Sequence, residues 1–173
     1  MRLRPSDTSD AAAIAAVHVE AWREAYAGVV RGDVLAALSG ADREKAWKSS
    51  LADPARPFLV TVAELDGKLV GFCARCVPTR DEDEDLSTGE IAALYVTPTY
   101  WGCGVGGALL RDALGQLDAE GCPQVTLWTF DANDRARGFY ERFGFMPDGT
   151  SRPPQDGRPS EVRMRLKWGL RQL

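Results

Sequence analysis

The sequence lacks an excess of positive charge and lacks any long hydrophobic run. Lysine and arginine number 21 against 25 aspartates and glutamates, which gives a net charge of −4 over 173 residues. There is therefore no basic field to attract nucleic acid or anionic lipid. No apolar run approaches the roughly 18 residues of a membrane span, and residues 1–10 lack the apolar core of a signal peptide. We expect a cytoplasmic protein that binds neither nucleic acid nor membrane.

Cysteine and histidine are also scarce, with four and one residues respectively. Cys73 and Cys76 form a C-x-x-C pair in an extended pattern, which puts them on opposite faces, and no second pair follows at zinc spacing. Cys103 and Cys122 are isolated. We predict structural thiols with Cys103 the most exposed, and no metal site. His18 lies on an apolar helical face, which favours a packed core histidine over a proton shuttle or a substrate contact.

The apolar patterns that are present predict one α/β domain over residues 1–173. An Asp-Gly pair at 66–67 predicts a two-residue turn between two antiparallel strands. The strand at 91–96, the helix after it and the strand at 125–129 form a crossover, so these two strands should be parallel. We expect a mixed, largely antiparallel sheet of about six to seven strands with helices on both faces. Predicted strands cover 1–4, 58–65, 68–77, 91–96, 125–129, 145 onward and 161–167; predicted helices cover 9–28, 33–38, 42–51, the segment after the glycines near 104, and 131–142.

The segment 89–110 carries the strongest chemical signal. A strand at 91–96 and the break at Pro98 are followed by four glycines within six residues and then by an amphipathic helical pattern. The first turn of a helix leaves backbone N–H groups unpaired and adds a partial positive charge, so phosphate binds there readily. Glycine removes the Cβ atoms that would keep a diphosphate away from those donors. The cluster therefore predicts a phosphate-binding loop, made by Gly102, Gly104, Gly106 and Gly107.

Two other phosphate loops fit this cluster less well. The spacing of Gly102, Gly104 and Gly107 satisfies G-x-G-x-x-G, but a dinucleotide fingerprint requires these glycines directly after the first strand of a βαβ unit. Here about ninety residues precede them. A Walker loop requires Gly-Lys-Ser/Thr, whereas Ala108 follows Gly107.

The segment resembles the acetyl-CoA-binding segment of the GCN5-related N-acetyltransferase (GNAT) superfamily. That segment is a hydrophobic strand, often V-x-P, followed by Q/R-x-x-G-x-G/A, and Val96, Pro98, Gly104 and Gly106 match it. Trp101 stands where the family usually has Gln or Arg. A second segment matches the family's N-x-x-A-x-x-F-Y-x-x-x-G-F signature, through Asn133, Ala136, Phe139, Tyr140, Gly144 and Phe145. The two segments together span residues 89–145.

The resemblance implies the GNAT fold and an acetyl-CoA-dependent N-acetyltransferase without a metal. The acceptor would be a primary amine, with a small amine favoured over a protein N-terminus or lysine. Glu90 matches the family's general base, with a pKa raised by burial at a strand end. The alternatives are that Glu90 is an exposed strand-end carboxylate and that another base, or water alone, removes the proton. Tyr140 matches the general acid. The implied cofactor-binding residues are Leu94, Tyr95, Val96, Gly102, Cys103, Gly104, Val105, Gly106, Gly107, Asn133 and Tyr140.

Three large aromatic residues are candidates for the acceptor pocket. Trp22 and Tyr26 lie four residues apart on one helix, and Trp128 lies near the end of a strand; each is otherwise a core residue. The acidic run at 81–85 is expected to form a solvated, mobile loop, or else a funnel for a cationic amine.

Two further expectations concern assembly and activity. The resemblance implies a homodimer as one assembly, for which the hydrophobic residues Trp168 and Leu170 are candidates. Trp101 in place of Gln or Arg favours a rival function, that of a non-catalytic acyl-CoA-binding sensor.

Overall fold

The computed structural model describes residues 1–168, and its elements follow the predicted order. The strands are β1 (Arg2–Pro5), β2 (Leu59–Leu65), β3 (Lys68–Cys76), β4 (Gly89–Val96), β5 (Gln124–Phe130), β6 (Met146–Arg152) and β7 (Glu161–Lys167). The α-helices are α1 (Ala11–Ala25), α2 (Gly32–Ala36), α3 (Gly40–Ala52), α4 (Val105–Ala119) and α5 (Asp134–Glu141).

The strands form one sheet in the order β1-β2-β3-β4-β5-β7-β6. Every neighbouring pair is antiparallel except β4 and β5. The mixed, mostly antiparallel sheet is therefore confirmed, and so is the parallel pair on either side of the crossover helix α4.

Helices cover both faces of the sheet because β4 alternates its side chains between two cores. Leu94 and Val96 pack with α4 and α5 on one face. Ala93 and Tyr95 pack with α1 and α3 on the other. Burial on both faces explains why the strand is a continuous apolar run rather than an alternating one.

The sequence predicts that the first helix is capped near Ser9 or Asp10, and Asp10 is the N-cap residue of α1, although its side chain makes no cap hydrogen bond to this helix. The side-chain cap belongs instead to a short 3₁₀ turn, Thr8–Asp10, which precedes α1 and has Asp7 as its N-cap. The Asp7 carboxylate accepts the Ser9 N–H at 2.8 Å, and the Asp10 carboxylate accepts the Asp7 N–H at 2.9 Å. This reciprocal arrangement is a capping box, here formed by two aspartates.

His18 is a packed histidine, as its helical face predicts. Its ring stacks on Tyr95 with a centroid distance of 4.7 Å. Its Nδ1 accepts a hydrogen bond from the Trp47 indole at 3.3 Å. Burial, with a smaller contribution from Arg43, lowers the pKa of His18 to about 4, so the ring is neutral at pH 7.

The thiols also follow the prediction. Cys73, Cys76 and Cys122 are buried and Cys103 is exposed. Burial raises the pKa of both Cys73 and Cys76 to about 12, so these thiols are inert in the folded protein.

The acidic run corrects part of one prediction, because it is only partly solvated: Glu82, Asp83 and Asp85 are exposed, whereas Asp81 is buried and Glu84 is half-buried. Asp81 is buried and accepts hydrogen bonds from the Trp128 indole at 2.9 and 3.0 Å. Asp83 pairs with Arg163 at 2.8 Å, and Glu84 pairs with Arg165. The loop between β3 and β4 is therefore tied to β7 by ion pairs through Asp81, Asp83 and Glu84.

Two remaining expectations concern a homodimer interface and a membrane span. Trp168 is partly buried against the core around α4, so it is not the exposed hydrophobic residue that a homodimer interface would use. Leu170 lies outside the described residues. Within residues 1–168, none of the helices is long and apolar enough to cross a membrane.

Candidate active site

The site begins where the two parallel strands part. Three residue pairs join β4 to β5, and the last of them is Ile91 with Leu127. On its other edge β4 carries one extra residue, Ala92, because Ala74 pairs with Ala93 while Arg75 pairs with Ile91. A β-bulge of this kind bends its strand. Beyond it, β4 has no strand partner on the β5 side within the described chain, so backbone groups there are open to a ligand.

A cavity of about 720 Å³ occupies the space between the parted strands. Its walls come from the end of α1, the open part of β4, the glycine segment before α4, the end of β5 and the inner face of α5. Nine of the residues predicted to bind the cofactor line it: Leu94, Tyr95, Val96, Gly102, Gly104, Gly106, Gly107, Asn133 and Tyr140. Two do not, since Val105 is buried in the core and Cys103 points to solvent.

The glycine segment has the conformation that an anion-binding helix N-terminus requires. Gly102 and Gly104 have φ angles of +79° and +86°, which residues with a side chain rarely adopt. Gly104 is the N-cap of α4, and no side chain among residues 1–168 caps this helix. The first-turn N–H groups of α4 are therefore left for a ligand at one end of the cavity.

Trp101 fills the position where the family pattern has a polar side chain. Its indole donates a hydrogen bond to the Val96 carbonyl at 2.7 Å, so one backbone acceptor of β4 is already taken. The guanidinium of Arg135 lies over its ring, 3.7 Å from the centroid. Trp101 thus joins the glycine segment to α5 across the mouth of the cavity.

Two arginines in the cavity wall were missed by the sequence reasoning. Arg135 and Arg142 are exposed on α5, line the cavity and, among the described residues, form no ion pair with a carboxylate. Their spacing of seven places them on the same helical face as Phe139. This spacing of two arginines on one helical face is the signal in the sequence that points to them.

Tyr140 and Asn133 come from the two ends of α5. Tyr140 is buried, lines the cavity and packs its ring against Phe139 and Phe145 at centroid distances of 5.1 and 5.9 Å. Burial raises the pKa of Tyr140, so the hydroxyl keeps its proton at neutral pH. Asn133 caps α5 by accepting the Ala136 N–H at 3.1 Å.

A second cavity of about 150 Å³ adjoins the first. Its walls include all three predicted acceptor residues, Trp22, Tyr26 and Trp128, and also Glu90. The two cavities have six wall residues in common: Tyr26, Ile91, Ala92, Tyr95, Trp128 and Thr129. A molecule in the small cavity would therefore lie next to one in the large cavity.

The aromatic walls are held in place by hydrogen bonds. The Trp22 indole donates to the Tyr95 hydroxyl at 2.8 Å. Tyr26 contacts Trp22 edge-on at a centroid distance of 4.8 Å. On the opposite side, the Trp128 indole is anchored by Asp81 and its face is covered by Arg152, 3.7 Å from the centroid.

Glu90 has a different environment from the one predicted for a general base. Its side chain is 2% exposed, and Arg80 holds it with bonds of 2.5 Å from Nη2 and 2.9 Å from the backbone N–H. The Thr79 hydroxyl donates a further bond at 3.1 Å. Burial alone would raise the pKa of Glu90, but these donors outweigh it and the pKa is lowered. The predicted raised pKa is therefore wrong; the catalytic role of Glu90 stays a prediction.

Comparisons with known proteins agree with this geometry. A sequence model described as "Acetyltransferase (GNAT) family" matches residues 16–145. An uncharacterized N-acetyltransferase of Mycobacterium tuberculosis is 32% identical over 143 residues, which cover 82% of this chain and 86% of that protein. The structure of PaiA N-acetyltransferase from Thermoplasma acidophilum in complex with coenzyme A has a TM-score of 0.79 at 21% identity, covering 96% of this chain and 98% of its own. A GCN5-related N-acetyltransferase from Rhodopseudomonas palustris has a TM-score of 0.75 at 25% identity, covering 96% and 95%.

Proposed function

Because this chain belongs to the acetyltransferase (GNAT) family and is an acyltransferase that acts with coenzyme A, we propose that it transfers an acetyl group from acetyl-CoA to a primary amine. The observation that carries this proposal is the parting of β4 from β5 around a cavity that the uncapped N-terminus of α4 adjoins. Family membership also favours an enzyme over the rival non-catalytic sensor.

The residues of the large cavity fit acetyl-CoA. The first turn of α4 offers N–H donors and a partial positive charge to the diphosphate. Arg135 and Arg142 add two cations at the same cavity. The open edge of β4 near Leu94 supplies backbone groups for the amides of the pantetheine arm, and Asn133 presents its amide from α5. Bound acetyl-CoA supplies the thioester carbonyl that the amine attacks.

Tyr140 is the proposed proton donor to the departing sulfur. Tyr140 lines the cavity, and its hydroxyl holds its proton at neutral pH because burial raises its pKa. Replacing it with phenylalanine keeps the ring and its packing but removes that proton. We expect Tyr140→Phe to lower kcat by about 10²-fold, measured as the release of coenzyme A with a reactive amine.

The affinity of the same variant for acetyl-CoA serves as its control. Calorimetry should give a dissociation constant within about twofold of the wild-type value, because the removed hydroxyl acts only as the thiolate forms. An unchanged kcat would remove Tyr140 from the mechanism. A weaker acetyl-CoA affinity with an unchanged maximal rate would make it a binding residue instead.

Glu90 is the proposed acceptor of the amine proton, reached through water in the small cavity. Its lowered pKa keeps it ionised at neutral pH, although it makes Glu90 a weaker base than a free carboxylate. We expect Glu90→Gln to lower kcat/KM by about tenfold or more across pH 6–9. Both carboxylate oxygens of Glu90 accept hydrogen bonds, and the NH2 group of glutamine can replace only one of them at a loss, so the unfolding midpoint should fall and the rates are measured well below it. Full activity in this variant would leave proton removal to water alone.

A further inference from the structure

The small cavity carries more charge than a pocket for a simple amine requires. Its walls contain two arginines, Arg80 and Arg152, and two glutamates, Glu90 and Glu161. These four groups sum to zero, so the small cavity presents both signs of charge to a ligand. From this arrangement, which rests on the proposed function, we infer that the acceptor is a free α-amino acid whose carboxylate the two arginines bind.

The accessible charges of this cavity are mainly cationic. The side chains of Arg80 and Arg152 are 55% and 50% exposed, whereas Glu90 is 2% exposed beneath Arg80. Glu161 is 33% exposed and lies 3.6 Å from Arg152, a loose pair. A carboxylate would find exposed guanidinium donors here, whereas the partly exposed Glu161 is the carboxylate left for a polyamine.

Both guanidinium groups are oriented before any ligand arrives. Glu90 holds the Nε and Nη2 atoms of Arg80, and within the described residues Nη1 of this arginine makes no hydrogen bond. Arg152 is held by Asp81 through Nη2 at 2.8 Å and by stacking on Trp128. Guanidinium groups fixed in this way lose little entropy when they bind a carboxylate.

Asp81 orients Arg152 without occupying all of its hydrogen-bond donors. The Arg163 Nη1 atom lies 3.5 Å from the second carboxylate oxygen of Asp81. Arg163 has three closer carboxylates, so Asp81 pairs mainly with Arg152. Within the described residues Nη2 is the one atom of the Arg152 side chain that donates a hydrogen bond, which leaves its Nε and Nη1 donors for a ligand. Asp81 therefore positions an arginine in the small cavity.

The size and position of the cavity fit the headgroup of an amino acid. A volume of about 150 Å³ matches a cavity known to hold benzene, which has six heavy atoms. An α-amino acid has about that number in its amine, carboxylate, Cα and Cβ together. With the carboxylate at the arginines, the amine is left to approach the walls that the two cavities share.

The test compares each amino acid with its own amide. Acetyl-CoA is supplied with each of the twenty amino acids, with the C-terminal amide of every amino acid that reacts, and with 1,4-diaminobutane. We expect kcat/KM for the best amino acid to exceed that for its amide by about 10²-fold or more, since the amide lacks the carboxylate that the free donors of the two arginines would bind. Equal rates for acid and amide, or a preference for the diamine, would overturn the inference.

Variants of Arg152 test whether this arginine causes the preference for the amino acid over its amide. Arg152→Gln should lower kcat/KM for the amino acid by about thirtyfold and leave the rate with the amide nearly unchanged, while Arg152→Lys should restore part of the loss. A general loss of structure would lower both rates equally. Arg137→Gln is the matched control, because Arg137 pairs with Asp131 and does not line the small cavity; it should behave as wild type with both substrates.

Calorimetry with acetyl-CoA separates this inference from the proposed function. Acetyl-CoA could bind while no amino acid is acetylated, either because only diamines or peptides react or because nothing reacts. The assignment of an amino acid as acceptor would then be wrong, while the binding site for acetyl-CoA would stand. If acetyl-CoA does not bind, the proposed function itself fails.

Discussion

Gly106→Glu is expected to abolish the binding of acetyl-CoA, with a dissociation constant raised by at least about 10³-fold. Gly106 lies in the first turn of α4 and lines the large cavity. A Cβ built there would meet only ordinary contacts, the nearest being the Phe139 ring at 3.6 Å, so the backbone can accept a side chain. The new carboxylate would occupy the first-turn N–H donors and repel the diphosphate.

Gly115→Glu provides the matched control for this experiment. Gly115 lies on the same helix, is exposed, and a Cβ there would meet nothing within 4 Å. Calorimetry with acetyl-CoA, coenzyme A and NAD on both variants and the wild type decides the outcome. Wild type and Gly115→Glu should bind acetyl-CoA at micromolar concentration and ignore NAD. Undiminished binding in Gly106→Glu would mean that the glycine segment does not hold the cofactor.

The second large effect concerns the ion-pair cluster that holds the loop between β3 and β4. Arg163 is 3% exposed and contacts four carboxylates, belonging to Asp81, Asp83, Glu84 and Asp148. Removing one partner from a buried cluster leaves the others as uncompensated charges. We expect Arg163→Met to lower the free energy of unfolding by about 3–5 kcal/mol, measured by urea denaturation at pH 7.

The pH dependence of unfolding gives this prediction a second readout. The hydrogen bond from Arg165 lowers the pKa of Glu84. Burial alone would raise the pKa of Asp148, but its hydrogen bonds outweigh burial and the pKa is lowered. Their stabilising effect is therefore present above the ordinary carboxyl pKa of about 4 and is lost as the pH falls through the lowered values. Without Arg163 these pKa values rise, and acid unfolding should begin at a higher pH.

An exposed ion pair serves as the control for Arg163. Arg31 pairs with Asp33 at 2.5 Å on the surface. Because exposed pairs contribute little, Arg31→Met should change the free energy of unfolding by less than about 1 kcal/mol. If Arg163→Met were equally mild, the cluster would contribute no more than a surface pair does.

Local signals in the sequence were sufficient for most of the fold. The hairpin was predictable because Asp66-Gly67 supplies two consecutive residues with positive φ, observed at 49° and 75°, as a two-residue turn requires. The glycine-led helix was predictable because its apolar spacing repeats every three to four residues. In both cases the deciding interactions lie within a few residues of each other in the chain.

The parts of the site that were not predicted depend on contacts between distant segments. The ion pairs of the acidic run were not predicted because Arg163 and Arg165 follow it by about eighty residues. The pKa of Glu90 was predicted in the wrong direction because burial could be inferred from its strand, whereas its contact with Arg80 could not. The stacking of Arg135 on Trp101 likewise joins α5 to the glycine segment. Such partners become visible only when the sheet order brings them together.

The open edge of β4 also bears on how such a site can change over evolutionary time. Along this strand the side chains of Leu94 and Tyr95 pack into the two cores, while the main-chain edge facing the large cavity is left for the ligand. Recognition by the main chain does not depend on which side chains are present, provided the two strands still part. Substitutions here are therefore constrained by volume and shape rather than by the ligand's chemistry. A donor site of this kind can survive extensive sequence drift, whereas an acceptor site built from charged side chains can be respecified by a single replacement.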